Sequence, residues 1–298
     1  MGGSARIRFI ALAIAAFGAA GCGAFVPRPA TVTSVGFAYQ GHLARGESFP
    51  QTGPGFVRAR TGDPTRFGNG ALVGAILRGA ASVAESFPGS APLRLGDASW
   101  PSGGKHPRHQ SHRAGRDIDV LFYVTDIDGH SVDGTGFVAF DRFGLAVPRG
   151  SDAVDASAIL FDDARNWHFV RTLLTDPNAD VQWIFCSKGV KARLLRYGAL
   201  HETDASVLFR AAWVLHQPTN GRPHDDHFHV RVTCTRDEVA SGCLDGEPFW
   251  PWLRDLDKAS SPEDASAGAA TDQALVAALL DGWVDEGGAR ADAVTTSH

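Results

Sequence analysis

Residues 226–234, DHFHVRVTC, alternate polar and apolar side chains in the manner of a β-strand with one buried face. Because residues two apart in a strand share a face, His227 and His229 lie on one side, and Phe228 and Val230 lie on the other. The stretch therefore predicts a strand that sets two imidazoles side by side on the more polar face of a sheet.

A second stretch, DIDVLFYV at residues 117–124, predicts another strand. By the same alternation, Asp117 and Asp119 share one face while Ile118 points the opposite way. If the two strands are neighbours, Asp119 and His229 can converge on one point. The pair of strands thus offers a carboxylate and an imidazole to a common site.

The histidines of the chain are concentrated near these strands, three within seven residues and three within six. They are His106, His109, His112, His224, His227 and His229. Gly115 permits a tight turn that would fold His112 back toward Asp119 and His229. A zinc site draws about four ligands from imidazole, carboxylate or thiolate groups, and a catalytic site keeps one position for water. A lone strand histidine is more often structural, but this combination is much more specific and predicts a zinc site.

The rest of the chain mixes helical and strand patterns. Apolar residues at helical spacing predict helices over residues 70–87, 162–175, 188–197 and 202–216, and an apolar run predicts a strand over 181–186. The mixture, with long Gly-rich loops, favours an α+β fold. We expect a small antiparallel sheet that carries the zinc site, flanked by helices and long loops.

Composition narrows the classes of function. The chain has 298 residues, 44% of them hydrophobic, and seven Trp, which is typical of a globular protein with a sizeable core. The formal net charge of −5 gives no broad basic field. Binding of nucleic acid through phosphate neutralisation is therefore not expected.

The N-terminus has the pattern of an export signal. Arg6 and Arg8 precede an apolar run over residues 9–20, which is too short to span a bilayer comfortably. Small residues directly before Cys22 resemble the lipobox of bacterial lipoproteins, in which the Cys carries a lipid anchor. The alternative is an ordinary secretory signal. Both predict a periplasmic protein, held at the outer membrane if Cys22 is lipidated.

Four segments are predicted along the chain. Residues 1–21 are a signal peptide, and residues 22–40, with prolines, Thr and Ser, form a tether. Residues 41–255 form the globular domain that carries the predicted zinc site. Residues 256–298 are a linker and a mostly disordered tail, with a short helix over 275–283.

Three further cysteines follow Cys22. Cys234 and Cys243 flank a short polar segment and can pair in an oxidising compartment. Cys186 lies in the apolar run VQWIFC, so we expect a buried free thiol. The spacings do not match a zinc finger.

The motifs around the two strands resemble those of the penicillin-insensitive murein endopeptidases. Their wider group, which includes lysostaphin, the D-Ala-D-Ala metallopeptidases and the hedgehog N-terminal domain, has the signature HxxxxxxD followed downstream by HxH. Here these are His112 to Asp119 and His227-Phe-His229. SHRAGRDIDV resembles the block S-H-Q-x-G-x-D-V-D-I, and HDDHFHVRVTC resembles H-x-x-H-x-H-V-R-x-x-C. PSGG and RFGN also look like family features, and the resemblance spans about residues 40–255.

The resemblance implies roles for individual residues. His112, Asp119 and His229 would hold Zn²⁺, with water in the fourth position. His109 falls where the family has a histidine near the metal, and would be an additional or alternative ligand or a group that contacts a ligand. The family's other cysteines are absent, so its disulfide framework is not carried over.

Four more side chains acquire expected roles. His227 would be the general base or would stabilise the oxyanion, since no Glu lies beside the motifs. His224 matches a further active-site histidine of the endopeptidases. We expect Asp117 to orient a ligand by a hydrogen bond. Arg231 would either anchor a substrate carboxylate or face solvent.

The implied substrate is peptidoglycan, and the implied reaction is hydrolysis of the D-alanyl to meso-diaminopimelyl cross-link. Two alternatives stay open. One is a zinc D-alanyl carboxypeptidase that acts on stem peptides, and the other is a non-catalytic lipoprotein that binds zinc or peptidoglycan.

Overall fold

The computed structural model describes residues 33–134, 136–147, 159–219 and 221–253. The expected signal peptide (1–21), the anchor at Cys22 and the tail (256–298), with its helix over 275–283, lie outside these ranges. Within them, no helix is long and apolar enough to cross a membrane.

The described chain is built from short strands and a few helices. The strands are β1 (Thr33–Phe37), β2 (Gln40–Ala44), β3 (Glu47–Ser48), β4 (Thr52–Gly53), β5 (Phe56–Arg58), β6 (Phe67–Gly68), β7 (Leu93–Leu95), β8 (Asp117–Leu121), β9 (Val124–Thr125), β10 (Ser131–Val132), β11 (Ala139–Phe140), β12 (Ala146–Val147), β13 (Leu160–Phe161), β14 (Val181–Phe185), β15 (Leu215–His216) and β16 (His227–Val232). The helices are α1 (Gly70–Ser86), α2 (Asp163–Leu174), α3 (Lys188–His201), α4 (Ala205–Val214) and α5 (Arg236–Ala240). The α+β class is confirmed.

The main sheet has seven strands in the order β15-β14-β16-β8-β7-β5-β4. Its centre is antiparallel, because β16 runs antiparallel to both β14 and β8. Two pairs nearer its edges, β14 with β15 and β5 with β7, are parallel. The sheet is therefore larger than expected and mixed, although the strands that carry the predicted site are antiparallel.

The register of β8 and β16 sets the polar face. Asp119 lies opposite His229, and Asp117 lies opposite Arg231. Directly opposed residues share a face, so the predicted convergence of Asp119 and His229 is confirmed. Ile118 and Val230, also paired, are fully buried on the other face.

Helices cover the apolar face of this sheet, and each begins at a capping side chain. Asn69 accepts a hydrogen bond from the backbone of Leu72 at the start of α1, and Asp162 and Ser187 cap α2 and α3 in the same way. The predicted helix over 202–216 is shorter. Asp204 caps α4, and residues 215–216 leave the helix to pair with β14.

An N-terminal hairpin of β1 and β2 joins the far end of the domain. The backbone of Ser34 donates to the buried carboxylate of Glu238 in α5 at 2.9 Å, and Gly36 bridges to Cys243. Residues 33–40 therefore belong to the folded domain, and the tether predicted over 22–40 is wrong for them. Their side chains alternate too weakly to predict a strand, and the residues that hold the hairpin in the domain, Glu238 and Cys243, lie about 200 residues away along the chain.

The cysteines behave as predicted. Cys234 and Cys243 form a disulfide just after β16. Cys186 is a free thiol that is fully buried, and burial raises its pKa to about 12.

Candidate metal centre

The carboxylate of Asp119 lies at the middle of the polar face, surrounded by imidazole nitrogens. Nε2 of His112 and Nδ1 of His229 are each 3.3 Å from its Oδ1, and Nε2 of His109 is 3.2 Å from its Oδ2. Both carboxylate oxygens are buried, and neither has a hydrogen-bond partner among the described residues. Such groups are costly to bury unless something else satisfies them, which makes this the best-defined candidate for a metal centre.

His112 reaches the centre through an unusual backbone. Its φ is +60°, in the left-handed region that non-glycine residues rarely adopt. Its N–H donates to Asp117 at 3.3 Å, which helps to hold the turn. Gly115 follows with φ +74°, and a Cβ there would lie 2.6 Å from the side chain of Leu43. Strain of this kind concentrates at functional sites.

His229 is held in one orientation by Asp117. Its Nε2–H donates to Oδ1 of Asp117 at 3.0 Å, and Nε of Arg231 donates to the same oxygen at 2.6 Å. When the ring is neutral, the other ring nitrogen, Nδ1, therefore carries the lone pair, and it faces Asp119. A carboxylate behind an imidazole is the usual support of a metal-binding histidine.

His109 lies between two carboxylates. Its Nε2 is 2.9 Å from Oδ2 of Asp97 and 3.2 Å from Asp119. Arg60 and Arg108 also donate to Asp97, which is almost fully buried. Burial alone raises the pKa of Asp97, but His109 and the two arginines hold it well below its usual range. The Nε2 atom of His109 therefore has two possible partners, the Asp97 carboxylate and a metal bound at Asp119.

The second histidine cluster borders the centre on its other side. Nε2 of His227 is 3.5 Å from Asp119, and its Nδ1–H donates to Asp226 at 2.5 Å. The His224 ring is 5.0 Å from that of His227, and its Nδ1–H donates to the carbonyl of Arg222 at 2.9 Å. His224 also has a left-handed backbone, with φ +52°.

The ionisable side chains of the cluster shift one another's pKa values. Burial acts to raise the pKa of Asp119, but the imidazoles of His112 and His227 hold it well below its usual range. Burial acts to lower the pKa of His227, and the Asp119 and Asp226 carboxylates raise it to about 10. For His224, burial dominates, with help from His229, and lowers the pKa to about 4. Asp119 is thus a carboxylate and His224 is neutral at pH 7.

The donor set suits a divalent cation such as Zn²⁺. Among the described residues, His109, His112 and Asp119 offer ligand atoms within 4.8 Å of one another, and Nδ1 of His229 is adjacent. Imidazole nitrogen with one carboxylate oxygen is a typical zinc ligand set. A second group, Asp126, Asp128 and His130, is largely exposed at a turn, where acidic clusters commonly occur without a metal.

Comparison with known proteins gives the family. The family model of the penicillin-insensitive murein endopeptidases matches residues 34–250, which is most of the chain and includes every side chain described above. The protein belongs to this family. The resemblance inferred from the sequence motifs is confirmed.

A relative from Haemophilus influenzae, named penicillin-insensitive murein endopeptidase, is 26% identical over 224 residues. The alignment covers 72% of this chain and 67% of that protein. The family match starts inside the N-terminal hairpin, which agrees with the hairpin being part of the domain.

The structure brings all six predicted site residues of this murein endopeptidase family member into one cluster. These are His109, His112, Asp119, His224, His227 and His229. Two acidic residues were missed. Asp226 adjoins His227 in the run HDDH and could have been noticed as an orienting carboxylate, whereas no local signal points to Asp97.

Proposed function

We propose that this protein is a zinc-dependent endopeptidase that hydrolyses peptide cross-links in peptidoglycan, at the bond between D-alanine and meso-diaminopimelate. The observation that carries the proposal is the buried Asp119 carboxylate, which has no hydrogen-bond partner in the described part of the chain yet faces the nitrogens of four histidines at 3.2 to 3.5 Å. Family membership supports the substrate class.

In this proposal, His112, Asp119 and His229 hold the metal. When bound, Zn²⁺ supplies a Lewis acid that polarises the scissile carbonyl and lowers the pKa of a water molecule. His109 is the candidate for an additional ligand, but only if it exchanges its contact with Asp97 for the metal.

His227 serves as the general base. Its Nδ1–H is fixed on Asp226, so Nε2 is the nitrogen that takes a proton from the attacking water. The Asp119 carboxylate contributes to the raised pKa of His227. Neutralising that carboxylate with a cation removes this contribution and brings the imidazole toward the range in which it can accept a proton.

Two other side chains contact the substrate. His224 is neutral, and its Nδ1–H already donates to the carbonyl of Arg222, so its Nε2 can accept a hydrogen bond. Such an acceptor suits the N–H of the scissile peptide bond. Arg231 lies beside the centre, braced on Asp117, and its remaining N–H groups suit a substrate carboxylate.

The proposed place of action is the periplasm. The expected signal peptide would deliver the protein there, and a lipid at Cys22 would hold it at the outer membrane. Labelling with a radioactive fatty acid, with Cys22→Ala as control, tests the anchor.

The activity is tested by incubating purified protein and Zn²⁺ with intact murein, followed by chromatography of the muropeptides. Loss of cross-linked dimers is the expected result. Release of terminal D-alanine with the dimers intact would instead mean a carboxypeptidase. No change in the muropeptides, with zinc bound, would mean a non-catalytic binding protein.

A further inference from the structure

A line of aromatic rings leads away from the metal centre on the polar face of the sheet. Phe185 in β14 lies opposite His229, and their rings are 5.3 Å apart. Trp183 is two residues earlier on the same face, opposite Arg231, with its ring 5.5 Å from Phe185. The line therefore starts at a proposed metal ligand.

The line continues past the edge of β14. The Trp250 ring is 5.1 Å from that of Trp183, and Trp252 stacks on Trp250 at 5.2 Å with the planes only 8° apart. Trp213, in the last turn of α4, lies 5.9 Å from Trp250. We call Phe185, Trp183, Trp250, Trp252 and Trp213 the aromatic strip.

The strip lies at the border of the hydrophobic core, and Trp250 and Trp252 pack against it. All five side chains are only partly buried, and Trp213 is 44% exposed. The Trp250 ring is fixed in place, because its Nε1–H donates to the carbonyl of Gln182 at 2.7 Å. Trp250 and Trp252 cover one face of each other, which leaves the partly exposed outer rings of the row for a ligand. Rings held by such contacts lose little side-chain freedom when a ligand binds.

We propose that the aromatic strip binds sugar rings of the glycan strand of peptidoglycan while the cross-linked peptide lies in the metal centre. This inference rests on the proposed function. The C–H face of a hexosamine ring is flat and apolar, and it packs on an indole face, leaving the hydroxyl groups in water. The strip thus suits an uncharged ring better than an anionic group.

Position favours this occupant over others. Because the strip begins at the metal centre, its occupant must lie next to the peptide being cut, and in peptidoglycan the peptides are attached to the sugars. Arg231 lies over the Phe185 ring at 5.5 Å, where the carboxylate-bearing peptide would meet the neutral glycan. The net charge of −5 agrees with a ligand that is not polyanionic.

The test compares two substrates that carry the same cross-link, intact murein and the cross-linked peptides freed of sugar. The variants are Trp213→Ala and Trp252→Ala. Phe143→Ala is the control, because Phe143 is an exposed ring in the turn between β11 and β12. We expect kcat/KM on murein to fall roughly fivefold or more in the strip variants, with a clearly smaller effect on the sugar-free peptides.

A binding measurement keeps the inference independent of catalysis. An oligomer of N-acetylglucosamine is titrated into the full-length protein while its tryptophan fluorescence is followed. A saturable change in fluorescence that is weaker in Trp213→Ala and Trp252→Ala, while their melting temperatures are unaltered, supports sugar binding by the strip. No change in the wild type overturns it, as does an equal loss on both substrates.

Two further outcomes separate the explanations. If a peptide copy of residues 254–298 binds the strip and the sugar does not, the occupant is the chain's own tail and the inference is wrong. If the wild type cuts neither substrate but binds the sugar oligomer at the strip, the proposed activity fails and the sugar site stands.

Discussion

At the scale of single residues, the proposed ligands and the proposed base should make separable contributions. If His112 and His229 are ligands as proposed, His112→Ala or His229→Ala removes one ligand from a set of about three. The affinity for the metal and the rate of hydrolysis should then both fall by more than about a hundredfold. Metal analysis by mass spectrometry and a muropeptide digest measure the two effects. His168→Ala is the control, because that imidazole contacts Ser82 on a helix away from the sheet's polar face.

His227→Ala should act differently. Since His227 is not assigned as a ligand, the variant should keep most of its zinc while kcat falls by about 10² to 10⁴, the usual contribution of a general base. Steady-state kinetics on the zinc-loaded variant measure this. A fully active variant would refute the assigned base, and a metal-free one would make His227 a ligand.

Much of the site could be predicted because strand alternation is a local property. The spacing of Asp117 and Asp119, and of His227 and His229, fixes which side chains share a face, whatever the rest of the fold. Asp97 could not be found in this way. It reaches His109 only because β7, a strand of three residues, pairs with β8, and a strand that short leaves no periodic pattern.

At the scale of elements, one carboxylate joins three parts of the fold. Glu238 in α5 accepts from the backbone of Ser34 in β1, from Nδ2 of Asn69 at the start of α1, and from the backbone of Thr235. All of these bonds are between 2.9 and 3.0 Å, and Glu238 is nearly fully buried. Together with the two backbone hydrogen bonds of Gly36, to Gly242 and Leu244, it links the N-terminal hairpin to the end of the domain.

Glu238→Ala should therefore lower the free energy of unfolding by about 3 kcal/mol or more, because it leaves several buried donors without an acceptor. Urea denaturation measures the change. Asp237→Ala, the exposed neighbour on the same helix, should change it by less than about 0.5 kcal/mol. If both variants changed the free energy of unfolding by a similar small amount, water would be satisfying the donors in place of the Glu238 carboxylate.

Predicted and observed elements agree best where the pattern is long. The helix expected over 70–87 is α1, Gly70–Ser86, and that expected over 162–175 is α2, Asp163–Leu174. The two-residue strand β15 continues the apolar pattern of α4, so sequence alone predicts one helix there. The pairing of β15 with β14 is a tertiary contact, and the local sequence does not indicate it.

At the scale of the whole molecule, metal and stability should be linked. Without a cation, the buried Asp119 carboxylate has no hydrogen-bond partner among the described residues, so Zn²⁺ at about a thousand times its Kd should stabilise the fold by about 4 kcal/mol. Calorimetry with and without a chelator measures the shift in melting temperature. Because the carboxylates of Asp117 and Asp119 raise the pKa of His229 against the effect of burial, protons compete with the metal for this imidazole, and the shift in melting temperature should shrink as the pH falls. A melting temperature that does not change when the chelator is added would contradict the presence of a metal at this centre.

The order in which the proposed ligands occur along the chain has a consequence in time. His112 and Asp119 come first, whereas His229 follows 110 residues after Asp119, and Cys243, to which the first hairpin bridges, follows later still. While an exported chain emerges from its N-terminal end, it holds two of the three proposed ligands and lacks the partner of its first hairpin until almost the whole domain has crossed the membrane. If the metal binds as proposed, its capture and the closure of the hairpin are therefore among the last events of folding.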